Sequence, residues 1–204
     1  MKLYDAPLAP NPRRVRVFIA EKGLVIPREE INLLAGGAKT EAFTGLNPMQ
    51  SVPVLVLDDG YPLSETVAIC RYIEEAVAPE PNLMGATSRE RAEIEMWNRR
   101  IELKLFSHVA QVFRHLHPRL AALEQPQVAA WGEANKPKVM AQLVFWNGEL
   151  GTRRFVAGER FTIADITALV AIDMMPRARL ERPGGLDHLA RWYTDVSSRP
   201  SAQA

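Results

Sequence analysis

At 204 residues, with 47% hydrophobic and 24% charged side chains, the chain has room for one large core or two small ones and an ordinary globular composition. Its 25 basic against 24 acidic residues leave a formal net charge of +1, which argues against a nucleic-acid-binding or membrane-surface protein. A single cysteine excludes an internal disulfide framework and a CxxC pair; the first residues hold no apolar core of signal-peptide length, and no later run approaches a membrane span, so the reducing cytoplasm is the expected compartment.

Lys2-Leu3-Tyr4 starts extended and runs into a turn rich in proline (Pro7, Pro10, Pro12). Val15, Phe18 and Ile19 then recur at helical spacing to Lys22, with Gly23 as the stop and Asn11-Pro12 suited to cap and first helical position. Arg13, Arg14 and Arg16 crowd that helix start, where the dipole disfavours cations. Val25 to Leu33 reads as a second strand, and a short helix is expected near residues 39–46. Pro53 precedes the apolar run Val54–Leu57, as a proline does at the first residue of a strand, and Asp59-Gly60 signals a hairpin. Ser64 is placed to cap the next helix, with Glu65 favouring its positive end and Val67, Cys70, Ile73 and Val77 buried. Parallel strands joined by a helix, followed by a hairpin and a covering helix, make an α/β layer over residues 1–78.

The Pro-rich stretch from Ala78 to Asn82 opens a linker over residues 79–87, and an all-helical region is expected over 88–204. Its first helix runs from about Ser88 to His117, stopped by Pro118, with Ile94, Trp97, Ile101, Leu105 and Val112 on one face. A second spans about residues 127–150, bearing Trp131, Val139, Leu143 and Trp146, with a kink or break expected at Pro137. Thr162 and Asp165 form a variant of the capping box before a nearly all-apolar helix, the expected centre of the domain, and a last helix covers about 186–198. His108 and His115, seven apart, share the packed face of the long helix, and His117 points away. The four histidines make no metal-ligand pattern with Cys70, which reads as a small core hydrophobe, and Met49, Trp97 and Phe106 default to packing.

Read in order, Ala9-Pro10-Asn11-Pro12-Arg13-Arg14-Val15-Arg16, Ala20-Glu21-Lys22-Gly23, Asn47-Pro48, Val52-Pro53-Val54-Leu55, Leu63-Ser64-Glu65-Thr66, Ala68-Ile69, Arg71-Tyr72-Ile73 and Phe161-Thr162-Ile163-Ala164-Asp165-Ile166 resemble the cytosolic glutathione transferases over essentially the whole chain. The likeness is greatest to the bacterial and fungal branch near the theta-like and nu-like classes. It implies a thioredoxin-like N-terminal domain, an all-α C-terminal domain, a homodimer, no metal, and glutathione bound in the first domain beside a hydrophobic pocket for a small electrophile in the second. The resemblance makes the Val52–Pro53 bond cis, against the roughly 5% frequency of cis X–Pro bonds in folded proteins. A cis bond would turn the Val52 main chain outward to pair with the cysteinyl part of glutathione. Ser64 and Glu65 match the residues holding the γ-glutamyl end, Lys39 lies where a basic residue meets the glycine carboxylate, and Gln50 and Ser51 border the site.

The family's Tyr, Ser or Cys at the thiol is missing here: position 9 is Ala, and residues 5–12 hold no Ser or Cys. Asn11 matches the asparagine of the nu-like pattern and is the remaining donor, in competition with its capping role. A free thiol has a pKa of about 8.5, and lowering it two units takes roughly 2.7 kcal/mol, within reach of one donor of about 1.5–3 kcal/mol plus a helix N-terminus. His115 is a further catalytic candidate. The expected function is a transferase that activates glutathione and conjugates it to a hydrophobic electrophile. A glutathione-dependent disulfide-bond reductase and a non-catalytic ligand-binding member remain open.

Overall fold

A computed structural model describes residues 1–204, and the chain divides into two compact units, residues 1–82 with 203–204, and residues 83–202. In the first unit, β1 (Lys2–Asp5) leads to α1 (Pro10–Glu21), then β2 (Arg28–Glu30), α2 (Glu41–Leu46), β3 (Val54–Val56), β4 (Pro62–Ser64) and α3 (Thr66–Tyr72). The strands form one sheet in the order β2-β1-β3-β4, with β1 parallel to β2, antiparallel to β3, and β3 antiparallel to β4.

Alternation along the strands sorts the core. Tyr4, Val54 and Val56 pack with Phe43 of α2, Ala38 and Val52, the Tyr4 and Phe43 rings meeting edge-on at 6.1 Å. Leu3 and Leu55, out of phase with these, are fully buried, as are Val15 and Phe18 of α1 and Ile69 and Cys70 of α3. β2 is shorter than the Val25–Leu33 strand expected from sequence: its three residues are exposed and Val25 is 96% exposed, so this edge offers no buried face to extend pairing. The helix expected at 39–46 begins with a 3₁₀ turn (Gly37–Lys39) and then restarts at Thr40, whose hydroxyl accepts from the Phe43 N–H at 3.3 Å.

α3 runs into a π-turn, Ile73–Val77, which shifts its buried face: Thr66, Ile69, Cys70, Ile73 and Glu74 are inside, while Val67 and Val77 are only half-buried. Glu74 meets Lys22, whose ammonium is fully buried and also donates to the Pro81 carbonyl at 2.6 Å.

The second unit is helical: α4 (Ser88–Ile101), a π-turn (Glu102–Phe106), α5 (Ser107–Leu116), α6 (Ala129–Leu150), α7 (Ile163–Met174) and α8 (Asp187–Ser197). The long helix expected to His117 is thus continuous but carries a π-turn. α7 is buried at every residue except Asp173 and forms the centre. Both capping boxes are complete, Thr87 with Glu90 and Thr162 with Asp165. Asp165 is fully buried and accepts from the Val156 N–H and Trp192 Nε1, both at 2.8 Å, and from the Thr162 N–H at 3.0 Å.

Pro137 does not split α6, which runs through 22 residues; the proline removes one donor, opposite the carbonyl of Glu133, which is solvent-exposed. Trp131 is 46% exposed, in place of the packed position expected for it, and its Nε1 donates to Gln111 at 2.9 Å. α6 and α8 cap each other. Asn147 of α6 accepts from the His188 and Leu189 N–H groups at 3.0 and 3.1 Å, while Arg191 of α8 donates to the carbonyls of Leu150 and Arg153 at 2.8 and 3.1 Å. No helix of the chain is long and apolar enough to cross a membrane.

Candidate active site

The sheet register gathers four loops at one end. Asp5 ends β1 beside Glu30 of β2; Tyr4 opposes Val54, the first residue of β3; and Val54 opposes Ser64, the last residue of β4. The residues beyond those ends are therefore neighbours: the turn into α1 with Asn11, the loop after β2 with Lys39, Gln50–Pro53 before β3, and Glu65 after β4. Sequence reasoning had named Asn11, Lys39, Ser51, Val52, Pro53, Ser64 and Glu65 separately, and the topology brings all seven to this end.

The Val52–Pro53 bond is cis. Pro53 is buried, and the Val52 main chain enters no hydrogen bond within the chain, leaving an N–H and a C=O free beside the start of β3. Asn47 holds the approach to this bend. It is 3% exposed, its Nδ2 donates to the Ser51 carbonyl at 2.8 Å, and its Oδ1 accepts from the Met49 N–H at 3.1 Å. Asn47 carries no role in the sequence analysis; the Asn47-Pro48 step before a strand, an Asx-turn signature, is the signal that points to it.

Only three non-glycine residues have positive φ, and two of them are here, Gln50 at 53° and Glu65 at 68°. A left-handed conformation at a side-chain-bearing residue costs about 1–2 kcal/mol, and such strain concentrates at functional positions. Glu65, not Ser64, is the cap residue of α3: Ser64 ends β4 as a ladder residue, which corrects the capping expected of its hydroxyl. No side chain caps α3, so its first-turn amides stay available to an anion. The Glu65 carboxylate is exposed beside them.

α1 starts earlier than expected, at Pro10, with Ala9 as cap and no side-chain bond. Asn11 is therefore the second helical residue, solvent-exposed, and does not cap. Pro10 and Pro12 have no N–H, and the Arg13 N–H is bonded to the Ala9 carbonyl at 3.3 Å. Asn11 thus supplies the one unbonded main-chain amide of this first turn, together with its side-chain amide.

Two of the crowded arginines are internal. Arg16 donates to Asp5 at 2.7 Å and to the Pro7 carbonyl at 2.9 Å, fixing the turn before α1; its pKa is lowered, chiefly by burial, with Asp5 opposing. Arg14 is fully buried and donates from Nη1 to Thr66 Oγ1 at 2.8 Å. Thr66, the first residue of α3, lies at this end of the sheet; it carries no role in the sequence analysis, because Ser64, two residues earlier, carries the capping expectation.

His115 lies in the other unit. Its Nδ1 accepts from the Val128 N–H at 3.0 Å at the start of α6, and its Nε2 faces Glu124 at 3.9 Å. Nδ1 is thus bonded within its own unit, and Nε2 faces a carboxylate beyond hydrogen-bond distance. His108 is likewise bound to Asn135 at 2.8 Å. Cys70 is buried and its thiol is pushed up to about 12 by desolvation, with Arg14 and Lys22 opposing and Glu74 adding, so it is no nucleophile. No cluster of three or more His, Cys, Asp or Glu side chains is arranged to hold a metal ion.

A small mixed sheet ending in a cis-proline bend and an uncapped, strained helix start, joined to an all-helical unit, defines the glutathione transferase architecture. Residues 9–76 match the glutathione S-transferase N-terminal domain and residues 105–200 the C-terminal domain, and the chain belongs to the glutathione S-transferase family and is a transferase. Glutathione S-transferase 2 of Saccharomyces cerevisiae is 35% identical over 206 residues, 100% of this chain and 88% of its own. Glutathione S-transferase 3 of Zea mays is 30% identical over 216 residues, 100% of this chain and 91% of its own. Among solved structures, a glutathione S-transferase domain-containing protein of Marinobacter aquaeolei VT8 superposes with a TM-score of 0.94 at 39% identity, over 98% of this chain and 99% of that one. Gtt2 of Saccharomyces cerevisiae does so at 0.94 and 35%, over 100% and 99%.

Proposed function

We propose that the chain binds glutathione at this end of the sheet, holds its sulfur as thiolate and conjugates it to a hydrophobic electrophile. The observation that carries the reading is the convergence of three unanswered main-chain groups: the Val52 edge, the uncapped start of α3 and the Asn11 amide. In this reading the Val52 N–H and C=O pair with the cysteinyl residue as an added strand would. The γ-glutamyl carboxylate takes the first-turn amides of α3 with the Ser64 and Thr66 hydroxyls, and Glu65 takes the ammonium. Lys39 meets the glycine carboxylate, and Ser51 borders it.

The sulfur lies at α1, where the main-chain and side-chain N–H groups of Asn11 donate to it. Donors to the charged form favour thiolate over thiol, so the proton leaves to solvent near neutral pH. The thiolate then forms a C–S bond to the electrophilic carbon, either adding across a double bond or displacing an anionic leaving group. Cys70 takes no part, so a disulfide acceptor would have to be reduced by two glutathiones. A homodimer belongs to the same reading and is supported by the large apolar side chains left in solvent, Met49, Tyr61 and Leu103.

The test is the ultraviolet thiolate absorbance of bound glutathione against pH, in wild type and Asn11→Ala. The wild type should titrate about two units below the free thiol, and the variant, which keeps its main-chain N–H, about one unit higher than wild type. An unshifted thiol in bound wild type would make the chain a carrier, and product analysis with halogenated and disulfide acceptors separates conjugation from reduction.

A further inference from the structure

We propose that Arg14 is a positioning residue of the glutathione site: through Thr66 it holds Glu65 in the left-handed conformation that aims its carboxylate at the ligand's ammonium. The inference rests on the assignment of Glu65 above.

The geometry runs along one helix. Asn11 and Arg14 are three apart on α1, so one turn separates the exposed amide offered to the sulfur from a guanidinium turned wholly inward. One arm of that guanidinium ends on Thr66 Oγ1 at 2.8 Å. Thr66 is the first residue of α3 and is 8% exposed; the residue before it is Glu65, at φ 68° and ψ 120° with no side-chain cap. In the cap itself the Glu65 carbonyl accepts from the Ile69 N–H at 2.9 Å, and no side chain adds a bond. A side chain at positive φ relaxes unless its surroundings over-determine it, and the bond to Thr66 fixes the peptide on the helical side of Glu65. Burying a guanidinium is an unfavourable way to fill a core, since an apolar side chain of similar volume is often equally or more stabilising. Its bidentate, planar shape suits it to hold a defined point in space, and the point it holds adjoins the strained residue.

The ligand pair that reads this out is glutathione and its analogue lacking the γ-glutamyl amino group, glutaryl-cysteinyl-glycine. Only glutathione uses Glu65, so the ratio of their affinities measures how well that carboxylate is placed. Wild type should prefer glutathione on the order of tenfold, the effect of one charge-assisted hydrogen bond. Arg14→Met should bring the ratio near one by weakening glutathione more than the analogue, raising its KM with kcat for saturating glutathione little changed. In a Thr66→Val background, Arg14→Met should change the ratio no further, because the pathway through the hydroxyl is already cut. Thr66→Ser, which restores the hydroxyl, should keep the wild-type ratio. Arg14→Lys, which leaves a cation in the core, should also lose the preference and carries the test if the Met variant does not fold.

Losses that add in the double variant, or that fall equally on both ligands, would mean that Arg14 serves only the core and would overturn the proposal. A wild type that discriminates while both Arg14 variants keep the full ratio would overturn it and leave the Glu65 assignment standing. A wild type that binds both ligands equally would overturn the Glu65 assignment, and this proposal with it.

Discussion

Gly85 gives the sharpest test of how the helical unit is assembled. It sits at φ 98°, and a Cβ built on it would lie 2.6 Å from the Arg91 nitrogen, 2.8 Å from the Glu90 carbonyl carbon and 2.9 Å from the Arg91 Cα. All three are backbone atoms of the first turn of α4, so no side-chain rotation relieves the clash. The turn must move, and with it the Thr87–Glu90 capping box. Backbone strain of about 1–2 kcal/mol, overpacking of about 1–3 kcal/mol and a weakened cap of about 1 kcal/mol put Gly85→Ala near 4 kcal/mol destabilising. Gly185, in the same unit, has a similar backbone at φ 77° but no atom within 4 Å of its Cβ position, so Gly185→Ala carries the strain alone. In thermal unfolding followed by circular dichroism, the first substitution should lower the midpoint on the order of 10 °C and the second by about 3–5 °C. Equal shifts would refute the steric argument and leave only backbone preference.

Two further outcomes follow from buried charge. Burial raises Asp165 from its ordinary 3.8 to about 6, so between those values the folded state holds the extra proton and stability contributed by this group is lost as pH rises through the window, by about 3 kcal/mol at neutral pH. The stability advantage of wild type over Asp165→Asn in urea titrations should therefore be smaller at pH 7 than at pH 4.5, and a difference that does not vary with pH would count against this. Lys22→Ala leaves Glu74 buried without its ammonium and should cost about 3–5 kcal/mol, most of it regained in Lys22→Met with Glu74→Leu; a single-variant loss under about 1 kcal/mol would refute the pairing.

The helical unit was legible in the sequence because its signals are local. Thr162 with Asp165 announces a capping box, the apolar run after it announces a central helix, and Pro118 announces a stop. The errors fall where a long-range or backbone feature decides. Positive φ at Glu65 leaves no mark on the side chains, so the more familiar cap former, Ser64, drew the assignment and Thr66 was passed over. Arg14 and Arg16 crowd a helix start that disfavours cations, and what answers them, Thr66 and Asp5, lies 52 and 11 residues away. Asn11 lies two positions further into the helix than its expected capping role, because Ala9, which has no capping group, ends the extended segment. His115 lies on the packed face, as its spacing implies, and what faces it, Val128 and Glu124, comes from a connection that no periodicity describes. The site itself was legible only as fragments, and the sheet register is what assembled them.

The exchange of caps between Asn147 and Arg191 ties two chain segments some forty residues apart into one unit of opening. At the end of α6 the Leu150 carbonyl is answered only while α8 is docked, and at the start of α8 the His188 and Leu189 amides are answered only while α6 is intact. Opening at either end breaks a bond that the other end needs. Their amide protons should therefore exchange with solvent at a common rate set by the joint opening of both helices.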